Sequence, residues 1–274
     1  MKANLGSITV EMQGGLGNQL FGWAAGYALS KRLGLNLTLD ISNLISRPYE
    51  LDAFKLSENI AISKNKGLST PRLLSKQSVF TETSFKYDRD FEEIKRPKLI
   101  KGYFQSWKYF HSYHEEIRSQ LSLKEESEDL RRLLEIVGEY QVLAVHVRRG
   151  DYVGLSNYHG LTSDGYFKNA IELMENFSNF EKIMVFSDDI ESARRMLPKA
   201  NYFISSKELN STPETITLMS RCESLIGSNS SFSWWAGFLT NDDSALRIFP
   251  RPWFANESLD SRDLLPAKWI TLGI

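Results

Sequence analysis

The 274-residue chain holds one cysteine, Cys222, and four scattered histidines, at 111, 114, 146 and 159. A lone cysteine excludes an intrachain disulfide framework and a multi-cysteine zinc site, and it fits a reducing compartment. So few histidines make a histidine-rich metal site equally poor. Neither sign of charge is in excess. With 33 Lys+Arg against 34 Asp+Glu, the whole-chain field does not steer the protein toward nucleic acid or an anionic membrane, and any anionic ligand must be met by a local cluster. Long apolar runs are also missing: "MKANLGSITVEMQGGLGNQLF" has no stretch of signal-peptide or anchor length before its first strand-like segment. A cytoplasmic chain without an integral membrane segment is therefore expected.

What is present suits an ordinary α/β protein. The 42% of hydrophobic residues can build two cores, and the length favours two domains or one large one. Ile8 to Met12 is a β-branched run. A glycine loop follows, then "QLFGWAAGYALSKRLG" at helical spacing up to Gly34, then "LNLTLD" alternating as a second strand that ends in Asp40. Residues 42 to 98, with Pro48, Pro71 and Pro97, read as loops and short elements. "KLIKGYFQSWKYF" reads as a strand and aromatic turn, and the charged stretch after it as one or two helices broken near Ser122. From 141 onward the pattern alternates: strands at 142–147, 182–186, 201–204, 224–227 and 246–249, and helices at 164–177, 190–197, 213–221 and 231–239. That alternation implies a parallel, doubly wound sheet.

Polar groups gather where those strands end. "HVRRGDY" (146–152), "SDD" (187–189) and "GSNSS" (227–231) all lie at carboxyl ends of predicted strands, the edge at which open α/β sheets bind ligands. Arg148 and Arg149 are suited to phosphate through charge-assisted fork bonds, or one of them pairs structurally with Asp151. Ser228 to Ser231 precede an apolar helix whose free N–H groups can take a phosphate, although plain capping is the commoner use of serine there. Asp188 and Asp189 can accept from a guanine N–H edge or from ribose hydroxyls, with one of them expected to cap the next helix. Trp234, Trp235 and Phe238 read as core, and Phe232 as the exception nearest the loop.

"GGLGN" (14–18) raises a competing reading, an NAD-type Rossmann oxidoreductase, because a strand, Gly15-x-Gly17, a helix and an acid about 20 residues on resemble a dinucleotide fingerprint. Leu20 stands where the third glycine should be, and Asn18 and Gln19 bring amides that suit sugar hydroxyls or a turn. The lone D-x-D triplet, Asp88-Arg89-Asp90, has no apolar strand before it and reads as a solvated loop, not a magnesium site. A non-catalytic carbohydrate-binding module would leave the arginine pair without a purpose.

Together "GGLGNQLF", "HVRRGDY" and "LMSRCESLIGSNSSFSWWAGFL" resemble the α-1,2-fucosyltransferase family in its bacterial form. The match keeps three long motifs in order across both halves. The resemblance implies a GT-B-like α/β architecture of two Rossmann-like domains facing across a cleft: an acceptor-side domain over 1–138 and a donor-binding domain over 139–274. It implies inverting, metal-independent transfer of L-fucose from GDP-fucose to the 2-hydroxyl of a terminal β-galactoside, in O-antigen-type surface-glycan synthesis, with no cofactor. Arg148 is similar to the family arginine on the β-phosphate. His146 and Asp189 correspond to guanine contacts, and Ser230, Ser231 and Phe232 to a backbone cradle for the diphosphate. Asn18 matches the asparagine beside the reacting centre. Arg149, Tyr152, Asp188, Gly15 and Gly17 complete the expected donor set. Asp151 is the motif carboxylate nearest for a general base, unless Arg149 neutralises it, and a dissociative transition state needs little base help.

Overall fold

The computed structural model describes residues 6–64, 79–95, 99–149, 162–240, 242 and 244–274. Two compact units emerge: Met1–Ser122 with Arg262–Leu265, and Leu123–Ser261 with Pro266–Ile274.

The first unit is a five-stranded parallel sheet in the order β3-β2-β1-β5-β4. Its strands are β1 (Ser7–Glu11), β2 (Asn36–Asp40), β3 (Ile60–Ser63), β4 (Val79–Thr81) and β5 (Leu99–Lys101). The stretch read as loops and short elements thus supplies both edge strands. Each is three or four residues long and half exposed, too short to show a period of two. Helix α1 (Leu16–Leu33) stops at Gly34 in a left-handed conformation, as its sequence announces. Its approach to the sheet needs Gly26, where a Cβ would lie 2.3 Å from Val10 Cγ2. The close-packing glycine therefore sits two turns beyond the position a dinucleotide fingerprint requires, which the buried Leu20 occupies. The segment 262–265 joins this unit through Asp263, which pairs with Lys108 and accepts from Ser106 Oγ at its backbone oxygen, 2.8 Å.

The second unit is a six-stranded parallel sheet, β11-β10-β9-β6-β7-β8. Its strands are β6 (Val142–Val147), β7 (Lys182–Ser187), β8 (Tyr202–Ile204), β9 (Ser224–Ile226), β10 (Arg247–Arg251) and β11 (Ile270–Gly273). The helices are α2 (His114–Gln120) in the first unit and, in the second, α3 (Glu128–Glu139), α4 (Asp164–Glu175), α5 (Ile190–Met196), α6 (Thr212–Arg221) and α7 (Ser231–Leu239). The alternation read from 141 onward matches these elements to within two residues at most ends, with β11 the strand it does not reach. The units divide upstream of 138–139 because Ser127 caps α3 and bonds to both oxygens of Glu214 on α6, at 2.7 and 2.8 Å.

All six residues of β6 are buried, as in a parallel sheet covered on both faces. Leu143, Val145 and Val147 join the core with Tyr166 and Phe167 of α4 and Ala193 of α5. Strand alternation turns His146 to the opposite face, toward α7. The Arg247 guanidinium closes the far end of α7, donating to the carbonyls of Gly237 at 2.7 Å, Thr240 at 3.3 Å and Asp242 at 2.8 Å. A cation there also suits the negative end of the helix dipole.

Gly227, between β9 and α7, must be glycine: a Cβ would lie 2.2 Å from the Phe249 ring, which stacks on Trp269 at 4.8 Å. Gly227→Ala should cost about 1–3 kcal/mol by overpacking, read as a lower urea midpoint. Gly138→Ala in α3, where nothing lies within 4 Å, should not. Equal midpoints for the two variants would refute this packing account.

Candidate functional site

β7, β6 and β9 are adjacent in the second sheet, with Val147 opposite Ser187 and Val145 opposite Ile226. Residues just past those strands therefore meet at one edge. Arg148 and Asp188 form an ion pair, Nη1 to Oδ2 3.0 Å, each side chain about a quarter exposed. The other oxygen of Asp188 accepts the Arg149 backbone N–H at 2.9 Å. Asp188 thus holds the arginine loop instead of standing open to a ligand, and it leaves the Arg148 guanidinium oriented at the sheet edge.

Arg149 turns away. It donates to Asp164 Oδ1 at 3.1 Å and lies 2.9 Å from Met196 Sδ, tying β6 to the start of α4 and the end of α5. Asp151 and Tyr152 lie outside the described residues. Asp189 is the N-cap of α5. Ser192 engages both its oxygens, N–H at 3.0 Å and Oγ at 2.7 Å, and those bonds hold its carboxyl below the ordinary value. One of the two aspartates caps, as expected, and it is the one that the resemblance gave to guanine.

His146 is buried, its Nδ1 3.0 Å from Ser228 Oγ and its ring 5.5 Å from that of Phe232. Burial, helped by the Arg148 charge and opposed by Asp188, pushes its pKa down to about 3. The imidazole is therefore neutral at neutral pH, with Nε2 left as its second polar atom. Ser230 caps α7, its Oγ accepting the Phe232 N–H at 3.3 Å. Ser231 and Phe232 open the helix, half-buried, where first-turn N–H groups and the dipole favour an anion. Trp234, Trp235 and Phe238 are core, as expected. Burial pushes the Cys222 thiol up to about 12, which removes it as a nucleophile.

The glycine loop belongs to the first unit. Gly15 is the N-cap position of α1 and Gly17 is buried within its first turn. Asn18 Oδ1 accepts from Gln105 Nε2 at 2.8 Å. Gln19 is fully buried and serves the fold: Nε2 donates to the carbonyls of Gly14 at 3.0 Å and Pro48 at 2.8 Å, and Oε1 accepts the Glu50 N–H at 3.1 Å. Its amide is not available to a sugar. Asp40 is buried and binds the Ser42 N–H, so it cannot serve as the ribose contact of a dinucleotide site. Gln105 was absent from the sequence reading; its signal lies in "GYFQ", directly after β5.

Asp88 caps a 3₁₀ turn over Arg89–Phe91 that buries Phe91, a more ordered element than the solvated loop expected. Among the described residues, no group of three or more His, Cys, Asp or Glu is placed to hold a metal ion, and no helix is long and apolar enough to cross a membrane.

The profile of glycosyl transferase family 11 matches residues 1–273. An alpha-1,2-colitosyltransferase of Escherichia coli is 31% identical, the alignment covering 97% of this chain and 98% of the relative. The O-antigen biosynthesis glycosyltransferase WbnK, also of Escherichia coli, is 28% identical over 95% and 99%. A galactoside 2-alpha-L-fucosyltransferase of Bos taurus is 25% identical over 85% and 64%. Among solved structures, POFUT1 in complex with GDP-fucose aligns with a TM-score of 0.52 at 13% identity, covering 90% of this chain and 98% of that one. The likeness is one of fold, GT-B-like.

Proposed function

Because the chain belongs to glycosyl transferase family 11 and is a glycosyltransferase of the fucosyltransferase type, we propose that it transfers L-fucose from GDP-fucose to the 2-hydroxyl of a terminal β-galactoside. Membership of the family excludes the oxidoreductase reading. In this proposal the transfer is inverting and metal-independent and serves surface-glycan synthesis. The second unit binds the donor and the first the acceptor.

The observation that carries the proposal is the Arg148–Asp188 pair at the sheet edge where α7 also begins. As the bond from fucose C1 to the β-phosphate oxygen breaks, its electron pair passes to GDP while the acceptor oxygen forms a new bond from the opposite face. The growing diphosphate charge calls for preorganised positive potential. Arg148, the Ser231 N–H and the positive end of the α7 dipole supply it. Neutral His146 offers Nε2 to the guanine without adding a charge. Asp188 orients Arg148, Arg149 braces the loop, and Asn18 stands by the acceptor hydroxyl. Asp151 is the candidate base.

Incubation with GDP-fucose, a panel of β-galactosides and EDTA, with linkage read by NMR, should yield an α-1,2-fucosylated product. GDP release without that product, or loss of transfer on adding EDTA, would overturn the corresponding part of the proposal. The colitosyltransferase relative favours colitose as a second sugar that the chain could transfer. A pocket that hydrogen-bonds a sugar hydroxyl rejects a donor lacking it by about 10⁴-fold in kcat/KM, whereas an apolar pocket discriminates by only about 10²-fold.

A further inference from the structure

The first unit contains a turn with a costly backbone. Phe104, just past β5, has φ +52°, a conformation bulky residues rarely adopt. Its ring is fully buried against Phe80 at 6.4 Å, Phe91 at 5.9 Å and Tyr109 at 5.3 Å. Glu82, just past β4, reinforces the turn, its Oε2 accepting the N–H groups of Tyr103 at 2.9 Å and Phe104 at 2.8 Å. Strain of this kind persists only where the surroundings over-determine it, and it clusters at functional sites.

The consequence is an aromatic face presented to solvent. With Phe104 turned inward, Tyr103 turns outward. It is 38% exposed and stacks on Phe85 with ring centroids 5.9 Å apart and planes 19° from parallel. Two residues on, Gln105 donates to Asn18 at 2.8 Å. β1, β5 and β4 are neighbours in one parallel sheet, so the glycine loop, the Tyr103 turn and Glu82 all lie at its carboxyl edge. The Asn18 amide is thereby oriented, with Oδ1 engaged by Gln105 and the Nδ2 hydrogens left as donors.

A ring backed by a second ring, with the Asn18 amide along the same sheet edge, suits a pyranose. β-Galactose in particular offers C–H groups on one face and hydroxyls around its rim. We propose that Tyr103, backed by Phe85 and held by Glu82, is the platform on which the acceptor galactoside stacks. This rests on the glycosyltransferase reading above and names its acceptor subsite.

Initial-rate kinetics with GDP-fucose and a β-galactoside test it. Tyr103→Ala and Tyr103→Leu should raise the acceptor KM roughly tenfold, while Tyr103→Phe stays within about twofold of wild type. The KM for GDP-fucose and its slow hydrolysis without acceptor should not change in any variant. The leucine variant keeps bulk over Phe85, so it remains informative if the alanine variant misfolds. Phe177→Ala, at a 66% exposed aromatic in the second unit, should change nothing. An unaltered acceptor KM in the Ala and Leu variants, or a parallel rise in the donor KM, would overturn the proposal. Absence of both hydrolysis and transfer in the wild type would instead sink the donor reading on which it stands.

Discussion

Arg148→Ala should lower kcat for fucosyl transfer by about 10²- to 10³-fold, the usual loss when one preorganised donor to a developing anion is removed. Its melting midpoint should barely move, because the Arg148–Asp188 pair is partly exposed and such pairs contribute little to stability. Asp188 would still accept the Arg149 N–H that shapes the loop. Arg149→Ala should show the opposite profile. Its guanidinium bridges to Asp164 and Met196, so stability should fall while kcat in the remaining folded protein is largely kept. Asp188→Asn should lie between them, since an amide oxygen still accepts from the loop but orients the guanidinium less firmly. Single-turnover rates and thermal melts on the three variants separate the roles, and near wild-type turnover by Arg148→Ala would sink the catalytic assignment.

The protein should also lose stability as the pH falls from about 6.5 toward 4, before most carboxylates begin to titrate. The native His146 pKa is pushed down to about 3, while the unfolded chain titrates near the ordinary value of about 6.5. Between those values the unfolded state binds the proton and the native state does not. Stability therefore rises with pH across this window, at up to about 1.4 kcal/mol per pH unit, and the term levels off above 6.5 and below 3. Asp189 acts lower: its depressed carboxyl contributes stability that is lost only as the pH falls below the ordinary aspartate range. His146→Gln keeps a polar partner for Ser228 and removes the titration, so its urea-derived stability should be flatter between pH 4 and 6.5. An unchanged slope in that variant would contradict the assignment of the term to His146. The kcat of the wild type should show no inflection from His146 near pH 6.5, because the imidazole is already neutral there.

Much of the second unit was legible in the sequence. β6 is a run of apolar residues bounded by polar ones, and α7 begins at a capping serine and continues with core aromatics. Both signals lie within about ten consecutive residues, so periodicity and caps identify them. Parallel topology then places "HVRRGDY", "SDD" and "GSNSS" at one edge. The edge strands β3 and β4 were not legible, being too short and too exposed to show an alternation. Gln19 was misread for the same kind of reason: a buried amide and a sugar-binding amide look alike until Pro48 and Glu50 close around it.

In the second unit, strand length, turn chemistry and helix capping are local properties, and they alone place "HVRRGDY", "SDD" and "GSNSS" at the sheet edge. What each of those residues does there depends on long-range packing. Asp188 faces Arg148 from forty residues away, Asp189 folds back on Ser192, and Gln105 meets Asn18 across eighty-seven residues. A charged or amide side chain takes whichever partner the packed sheet brings within about 3 Å, and no pattern in its immediate neighbours encodes that choice.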